Sequence, residues 1–113
     1  MQVFNAGAAN TVSLDVIAKA TAVPITAGTV NFYLIALNGA NAGKWFKAAD
    51  ATWQAAESSA GSATFKGGAS WRLEIAASAW KHGVTYNLYA KETGDLNVIY
   101  TEKVIGLMVT ILD

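Results

Sequence analysis

Several residue types are scarce or missing in this 113-residue chain, and each absence narrows the functions open to it. The chain has no cysteine, which excludes disulfide frameworks, thiolate metal sites and cysteine nucleophiles. It has one histidine, His82, and a single imidazole lacks the second imidazole or thiol that a metal site or a catalytic pair usually needs. We therefore expect His82 to be an exposed loop residue, and we expect no bound metal.

Charge is also scarce. Charged residues make up 14% of the chain, and eight basic residues balance eight acidic ones. A nucleic-acid-binding domain usually carries a basic patch, and an anionic membrane attracts a polybasic cluster. The balance therefore predicts neither a nucleic-acid partner nor a membrane-bound protein. A sparsely charged surface promotes association, so it indicates either a domain covered by neighbours in an assembly or an alanine-rich domain that stays alone.

Motifs for catalysis are missing too. The acidic residues are dispersed, no Gly-x-Ser-x-Gly elbow is present, and no glycine-rich loop with the spacing of a phosphate-binding site occurs. We expect no enzymatic activity and no cofactor. The first residues carry neither the basic start nor the apolar core of a secretory signal, so we expect no signal peptide and assembly in the cytoplasm.

Apolar and polar residues alternate with a period of two through most of the chain, which predicts half-buried β-strands. The strongest segment is 28–37, where apolar residues on both faces indicate a central strand covered on each side. The other predicted strands are 11–18, 44–48, 63–66, 70–76, 84–91, 96–103 and 104–112, and Asn38-Gly39, Gly67-Gly68 and Thr93-Gly94-Asp95 are predicted turns between them. A series of about seven or eight short strands at this spacing predicts an all-β sandwich or barrel.

The step from Gly83 to Tyr86 resembles the corner before strand F of immunoglobulin-like and fibronectin type III sandwiches. In those folds a tyrosine at this place bonds through its hydroxyl group to backbone a few residues upstream. The resemblance implies an antiparallel sandwich of the immunoglobulin-like or fibronectin III-like type. It also implies that Gly83 and Tyr86 form a structural corner.

A wider resemblance extends over 28–103. Its motifs are an apolar strand followed by Gly43-Lys44-Trp45, Asp50-x-x-Trp53, Trp71-x-Leu73-x-Ile75 and Gly83-x-x-Tyr86. This order is similar to small Ig-like domains in structural proteins of tailed bacteriophages, which occur in head decoration, neck, baseplate and fibre components. The resemblance implies a non-enzymatic virion protein whose partners are other virion proteins or copies of itself in a homo-oligomer.

The four tryptophans support a second hypothesis. Trp45, Phe46 and Trp53 flank predicted loops and could form an aromatic platform for sugar rings, as in a carbohydrate- or cell-surface-binding module. The alternative is that the tryptophans pack within the sandwich and cover a sheet edge, because buried aromatic rings are the ordinary content of such cores.

The organisation predicted from the chain is one domain with one extension. Residues 1–10 show no clear period and are predicted to form an N-terminal arm that contacts a neighbouring subunit. Residues 11–113 supply enough large apolar side chains for a single β-sandwich domain.

Overall fold

The computed structural model describes residues 6–18, 22–92, 98–99 and 103–106, with side chains as far as residue 92. In these residues the chain is all-β, with eleven short strands and one 3-10 turn, η1 (Ala77–Ala79). The strands are β1 (Asn10–Asp15), β2 (Ile17–Ala18), β3 (Val30–Ala36), β4 (Trp45–Lys47), β5 (Thr52–Gln54), β6 (Gly61–Ser62), β7 (Thr64–Phe65), β8 (Ser70–Ile75), β9 (Thr85–Glu92), β10 (Val98–Ile99) and β11 (Lys103–Gly106).

The smaller sheet has the order β1-β8-β7, and both of its pairings are antiparallel. Val12 lies opposite Leu73 and Leu14 lies opposite Trp71, so the apolar positions of the two longer strands share one face. The exposed side chains of Arg72 and Glu74 alternate with them along β8. This sheet therefore has one core face and one solvent face, as the period of two predicts.

The larger sheet has the order β11-β9-β3-β4-β5, with β6 paired to β3 beyond the end of β4. The long pairing of β3 with β9 forms its centre, where Val30 lies opposite Glu92 and Ala36 lies opposite Tyr86. The prediction of a central strand at 28–37 is confirmed. A separate antiparallel ribbon pairs β2 with β10.

The two main sheets pack around one core, which gives the chain a sandwich-like architecture. Every second residue of β3 is buried, and the same alternation holds in β9. Trp80 and Tyr86 are the largest side chains that are fully buried. The buried apolar residues are Val12, Leu14, Val16, Val30, Phe32, Leu34, Ala36, Phe46, Ala60, Trp71, Ile75, Ala79, Trp80, Tyr86, Leu88 and Ala90.

Most of the predicted strands appear close to their expected positions. The hairpin around Gly67-Gly68 is confirmed by the antiparallel pairing of β7 with β8. More strands are described than the seven or eight expected because the predicted strand 11–18 is divided into β1 and β2. In addition, β5 and β6 contain only three and two residues, and so short a segment shows no period. Some predictions lie outside the described residues: the turn at 93–95, residues 96–97 and 100–102 of the predicted strand 96–103, residues 1–5 of the arm and the segment after 106.

Asn10, the last residue of the predicted arm, is the first residue of β1 and lies opposite Ile75. The backbone of Gly7 also bonds to the chain, because its N–H donates to the carbonyl oxygen of Trp80 at 3.2 Å. Among the residues that the structure describes, no helix is long and apolar enough to cross a membrane.

Candidate functional site

The chain turns from the smaller sheet to the larger one at a corner that consists of η1, Trp80 and the residues up to Tyr86. Gly83 has a φ of +81°, a conformation that favours glycine, and only Val84 separates it from β9. The hydroxyl group of Tyr86 donates to the carbonyl oxygen of Ala79 at 2.8 Å and accepts from the backbone N–H of Lys81 at 2.8 Å. These bonds satisfy two backbone groups that the change of sheet leaves without ladder partners.

Aromatic rings enclose Tyr86. Trp80 meets the Tyr86 ring edge-on at a centroid distance of 5.1 Å, and Trp53 stacks on it at 6.0 Å. The indole N–H of Trp80 donates to the carbonyl oxygen of Ile75 at 3.1 Å. Burial raises the pKa of Tyr86, although the hydrogen bond from Lys81 opposes the shift. Tyr86 therefore keeps the proton with which it bonds to Ala79.

The three aromatic candidates from the sequence lie on the β4–β5 hairpin but not on one surface. Phe46 lies opposite Trp53, whereas Trp45 lies opposite Gln54. Because successive residues of a strand point to opposite faces, Trp45 and Trp53 lie on different faces of the sheet. Phe46 is buried, and Trp53 contacts it edge-on with the ring centroids 5.4 Å apart. The two tryptophans therefore do not form a joint platform.

Trp45 belongs instead to a group of side chains on the face of the larger sheet that points away from the core. We call this group the outer-face aromatic cluster; its members are Tyr33, Trp45, Glu57, Tyr89 and Lys91. Tyr33 and Tyr89 stack across β3 and β9 with their centroids 5.2 Å apart and their planes 12° from parallel. The Lys91 ammonium lies 5.2 Å from the centroid of Tyr33 and 5.9 Å from that of Tyr89.

Hydrogen bonds hold the cluster in one arrangement. The indole N–H of Trp45 donates to the hydroxyl oxygen of Tyr89 at 2.8 Å. Tyr89 in turn donates to a carboxylate oxygen of Glu57, and Lys91 donates to the other oxygen at 2.6 Å. The segment after β5 is thereby fixed over the sheet, because Glu57 is its point of attachment to β9.

These contacts shift the pKa values of both acids in the cluster. Partial burial alone would raise the pKa of Glu57, but the hydrogen bonds from Lys91 and Tyr89 and the charge of Lys91 outweigh it and lower that pKa. Burial, together with the hydrogen bond and the charge of Glu57, raises the pKa of Tyr89 well above its usual value. At neutral pH Glu57 is therefore a carboxylate and Tyr89 a protonated phenol.

Sequence reasoning did not identify Tyr33, Glu57, Tyr89 or Lys91 as site residues. The alternation along β3 and β9 places Tyr33 and Tyr89 on the outer face, so their shared face could have been found from the period. The position of Glu57 could not, because it lies after β5 in a segment with no period, and only the fold brings it to β9.

Two concavities lie near the features described above, one at the corner and one beside β3, β4 and β6. The first, which we call the corner pocket, has a volume of about 220 Å³ and a mostly apolar lining of Ala36, Asn38, Ala40, Asn41, Trp53, Lys81, Val84 and Tyr86. The second, which we call the open hollow, has a volume of about 340 Å³ and is lined by Asn31, Lys47, Ala48, Ala49, Ser58, Ser59, Gly61 and Ser62. Trp53 thus lines a pocket, whereas Trp45 contributes to the outer face.

His82 is exposed in the turn before Gly83, as expected for a loop residue. Among the described residues, no group of three or more His, Asp or Glu side chains is placed to hold a metal ion. Asp50 forms an exposed ion pair with Lys47 at 3.9 Å and also accepts a hydrogen bond from Thr52.

Comparison with known proteins adds no relative to this picture: no family model, no curated protein and no solved structure matches the chain.

Proposed function

We propose that the protein is an Ig-like β-sandwich and a non-enzymatic structural component of a tailed-phage virion, which joins its assembly through protein–protein contacts. The Ig-like type is supported by the hydrogen bonds of Tyr86 to Ala79 and Lys81. The phage setting is supported by the resemblance of 28–103 to Ig-like domains of phage structural proteins.

The observation that carries the contact function is the outer-face aromatic cluster. Packing of the two sheets requires apolar residues on only one face of the larger sheet, and Phe32, Leu34 and Leu88 already supply that face. Tyr33, Trp45 and Tyr89 lie on the other face, where the fold does not require three aromatic rings. Tyrosine and tryptophan are enriched in protein interfaces and supply much of their binding energy.

The cluster is also arranged before any partner arrives. Ordering a flexible side chain on binding costs about 0.5–1.5 kcal/mol, which lowers affinity. Here Trp45 and Glu57 are already bonded to Tyr89, and Lys91 is bonded to Glu57. A partner that packs on the rings of this cluster therefore loses less free energy to ordering than it would on a mobile surface.

Co-sedimentation with the viral particles of its source tests this function. The purified chain should pellet with the particles in a saturable manner. A double variant, Tyr33→Ser with Trp45→Ser, should bind at least tenfold more weakly, because truncation of an interface aromatic often costs about 2 kcal/mol or more. The control is Arg72→Ser, which changes an exposed strand residue on the outer face of the smaller sheet and should bind as the wild type does.

Two results would remove the proposal. One is that the chain stays in the supernatant at every particle concentration. The other is that the double variant binds the particles as tightly as the wild type does. Sedimentation equilibrium of the chain alone distinguishes a second copy of the chain from other virion proteins as the partner. If the chain self-associates and the double variant does not, a second copy occupies this face.

A carbohydrate-binding module is the second candidate, and polar side chains in the open hollow favour it. Serine hydroxyls and the Asn31 amide line this hollow, and the Asn31 side chain accepts a hydrogen bond from Ser62 at 3.0 Å. Polar groups of this kind suit sugar hydroxyls, and Tyr33 lies two residues after Asn31 on the same face of β3. Titration with soluble oligosaccharides, followed by tryptophan fluorescence, distinguishes this candidate: a saturable change that Asn31→Ala abolishes supports it, and no change with any glycan class removes it.

A further inference from the structure

The corner pocket is a second concave site, separate from the outer-face aromatic cluster. Trp53 forms one side of it, and its ring stacks on the buried ring of Tyr86. The rim is fixed by Asn38, whose side chain donates to the carbonyl oxygen of Gly83 at 3.2 Å and accepts from the backbone N–H of Thr85 at 2.8 Å. The pocket is therefore preformed, because this amide joins the loop after β3 to the corner.

Its size limits what can enter. Sites for drug-sized ligands usually measure about 300–1,000 Å³, whereas an apolar cavity of about 150 Å³ is large enough to hold benzene. At about 220 Å³, the corner pocket fits a single ring or a branched aliphatic group. The mostly apolar lining by Ala36, Trp53 and Val84 suits a group without polar atoms.

Charge determines what should lie beside that group. Lys81 is the only charged residue among those that line the pocket within the described part of the chain. Its side chain is exposed and makes no ion pair with a described carboxylate. A carboxylate next to the inserted group would complement this ammonium, and Asn41 at the rim offers an amide as an additional donor.

We propose that the corner pocket receives one aromatic or branched aliphatic side chain of a partner polypeptide whose neighbouring residue is acidic. The inference rests on the proposed contact function for the nature of the partner, and it adds a separate site with its own sequence preference. Apolar burial in the pocket supplies most of the affinity, and the acidic neighbour selects among partners, since an exposed ion pair contributes little.

Nuclear magnetic resonance titration with capped peptides tests the site. The probes are acetyl-Gly-Phe-Glu-Gly-amide, its Gln analogue, and an analogue with Ala in place of Phe. The Phe-Glu peptide should shift the Trp53 indole and Val84 methyl resonances. The Phe-Gln peptide should bind about two- to fivefold more weakly, as expected for loss of an exposed ion pair. The Ala-Glu peptide should cause no saturable shift.

Variants test whether Lys81 supplies the charge and whether the corner pocket is the binding site. Lys81→Gln should weaken binding of the Phe-Glu peptide about two- to fivefold and leave binding of the Phe-Gln peptide unchanged. A general structural effect would weaken binding of both peptides and would not produce this coupling. Lys66→Gln, in the turn between β7 and β8, is the matched control and should change neither. Val84→Phe should fill the pocket and abolish binding, and a dispersed amide spectrum shows that this variant is folded.

Either of two results would overturn the proposal. One is that the peptide shifts resonances of other residues but not those of Trp53 and Val84, and the other is that Lys81→Gln weakens binding of both Phe peptides equally. The outer-face variant, Tyr33→Ser with Trp45→Ser, should bind the Phe-Glu peptide like the wild type. Loss of peptide binding with intact co-sedimentation would thus reject the pocket alone. Loss of co-sedimentation with intact peptide binding would reject the outer-face proposal alone.

Discussion

The hydroxyl group of Tyr86 lies 2.8 Å from the carbonyl oxygen of Ala79, seven residues earlier in the chain. Both residues are fully buried, and the same hydroxyl also accepts the backbone N–H of Lys81. One side chain therefore satisfies both backbone groups at the point where the chain leaves the smaller sheet. The corner that results forms one side of the pocket in which Lys81 and Val84 lie.

Tyr86→Phe should lower the free energy of unfolding by about 2–3 kcal/mol, because it leaves the Ala79 carbonyl oxygen and the Lys81 N–H without their partner. Urea unfolding at pH 7 measures this change. Tyr33→Phe is the comparison, since that ring is half-exposed and water can replace a partner of its hydroxyl group. Equal losses for the two variants would contradict the role assigned to the corner.

Gly39→Ala should destabilise the protein more than Gly43→Ala. Both glycines have a φ near +80°, so each substitution should cost about 1 kcal/mol through backbone strain. A Cβ atom at residue 39 would also lie 3.1 Å from a methyl carbon of Val84, whereas one at residue 43 would have no neighbour within 4 Å. Thermal unfolding of the two variants measures the difference, and a lower midpoint for Gly43→Ala would contradict this packing of the loop against Val84.

Glu57→Gln should make the protein less stable at neutral pH, and the difference from the wild type should shrink in acid. The folded protein holds the pKa of Glu57 below its ordinary value. Its contribution is therefore present above the unfolded pKa of about 4.3 and is lost as the pH falls through the folded value. Urea unfolding at pH 7 and at pH 3 tests this, and a difference that stays constant between the two would contradict the ion pair with Lys91.

Tyr89 should stay protonated in the folded protein beyond the pH at which an ordinary tyrosine ionises. Because its folded pKa is raised, its contribution to stability is complete below the unfolded pKa of about 10 and is lost as the pH rises through the folded value. Tyrosinate absorbance and circular dichroism should be followed together to high pH. Tyr89→Phe should lower the part of the tyrosinate absorbance change that occurs together with unfolding. A loss instead from the absorbance change at lower pH, before unfolding, would contradict the hydrogen bond from Tyr89 to Glu57.

The alternation of residue types was sufficient to predict the strands that contact the core. Val30, Phe32 and Leu34 alternate with partly exposed neighbours, and this alternation predicted β3, whereas its pairing with β9 is known only from the structure. The period did not predict β6, because a two-residue strand is set by what it pairs with and not by its own sequence.

The aromatic candidates show the same limit. Spacing placed Trp45 and Trp53 near loops, but the register of the β4–β5 hairpin places them on opposite faces. Trp45 donates its indole hydrogen bond to Tyr89, which lies 44 residues later in the chain. Contacts of this kind depend on the order of strands in the sheet, and no local pattern specifies that order.

The most direct test of the proposed contact function is hydroxyl-radical footprinting of the chain, free and bound to the viral particles to which we propose that it belongs. Binding through the outer-face aromatic cluster predicts that oxidation of Tyr33, Trp45 and Tyr89 falls at least severalfold on binding. Phe65, which lies in the smaller sheet, serves as the internal reference and should be oxidised equally in both states. Unchanged oxidation of the three cluster residues in the bound chain would contradict the account.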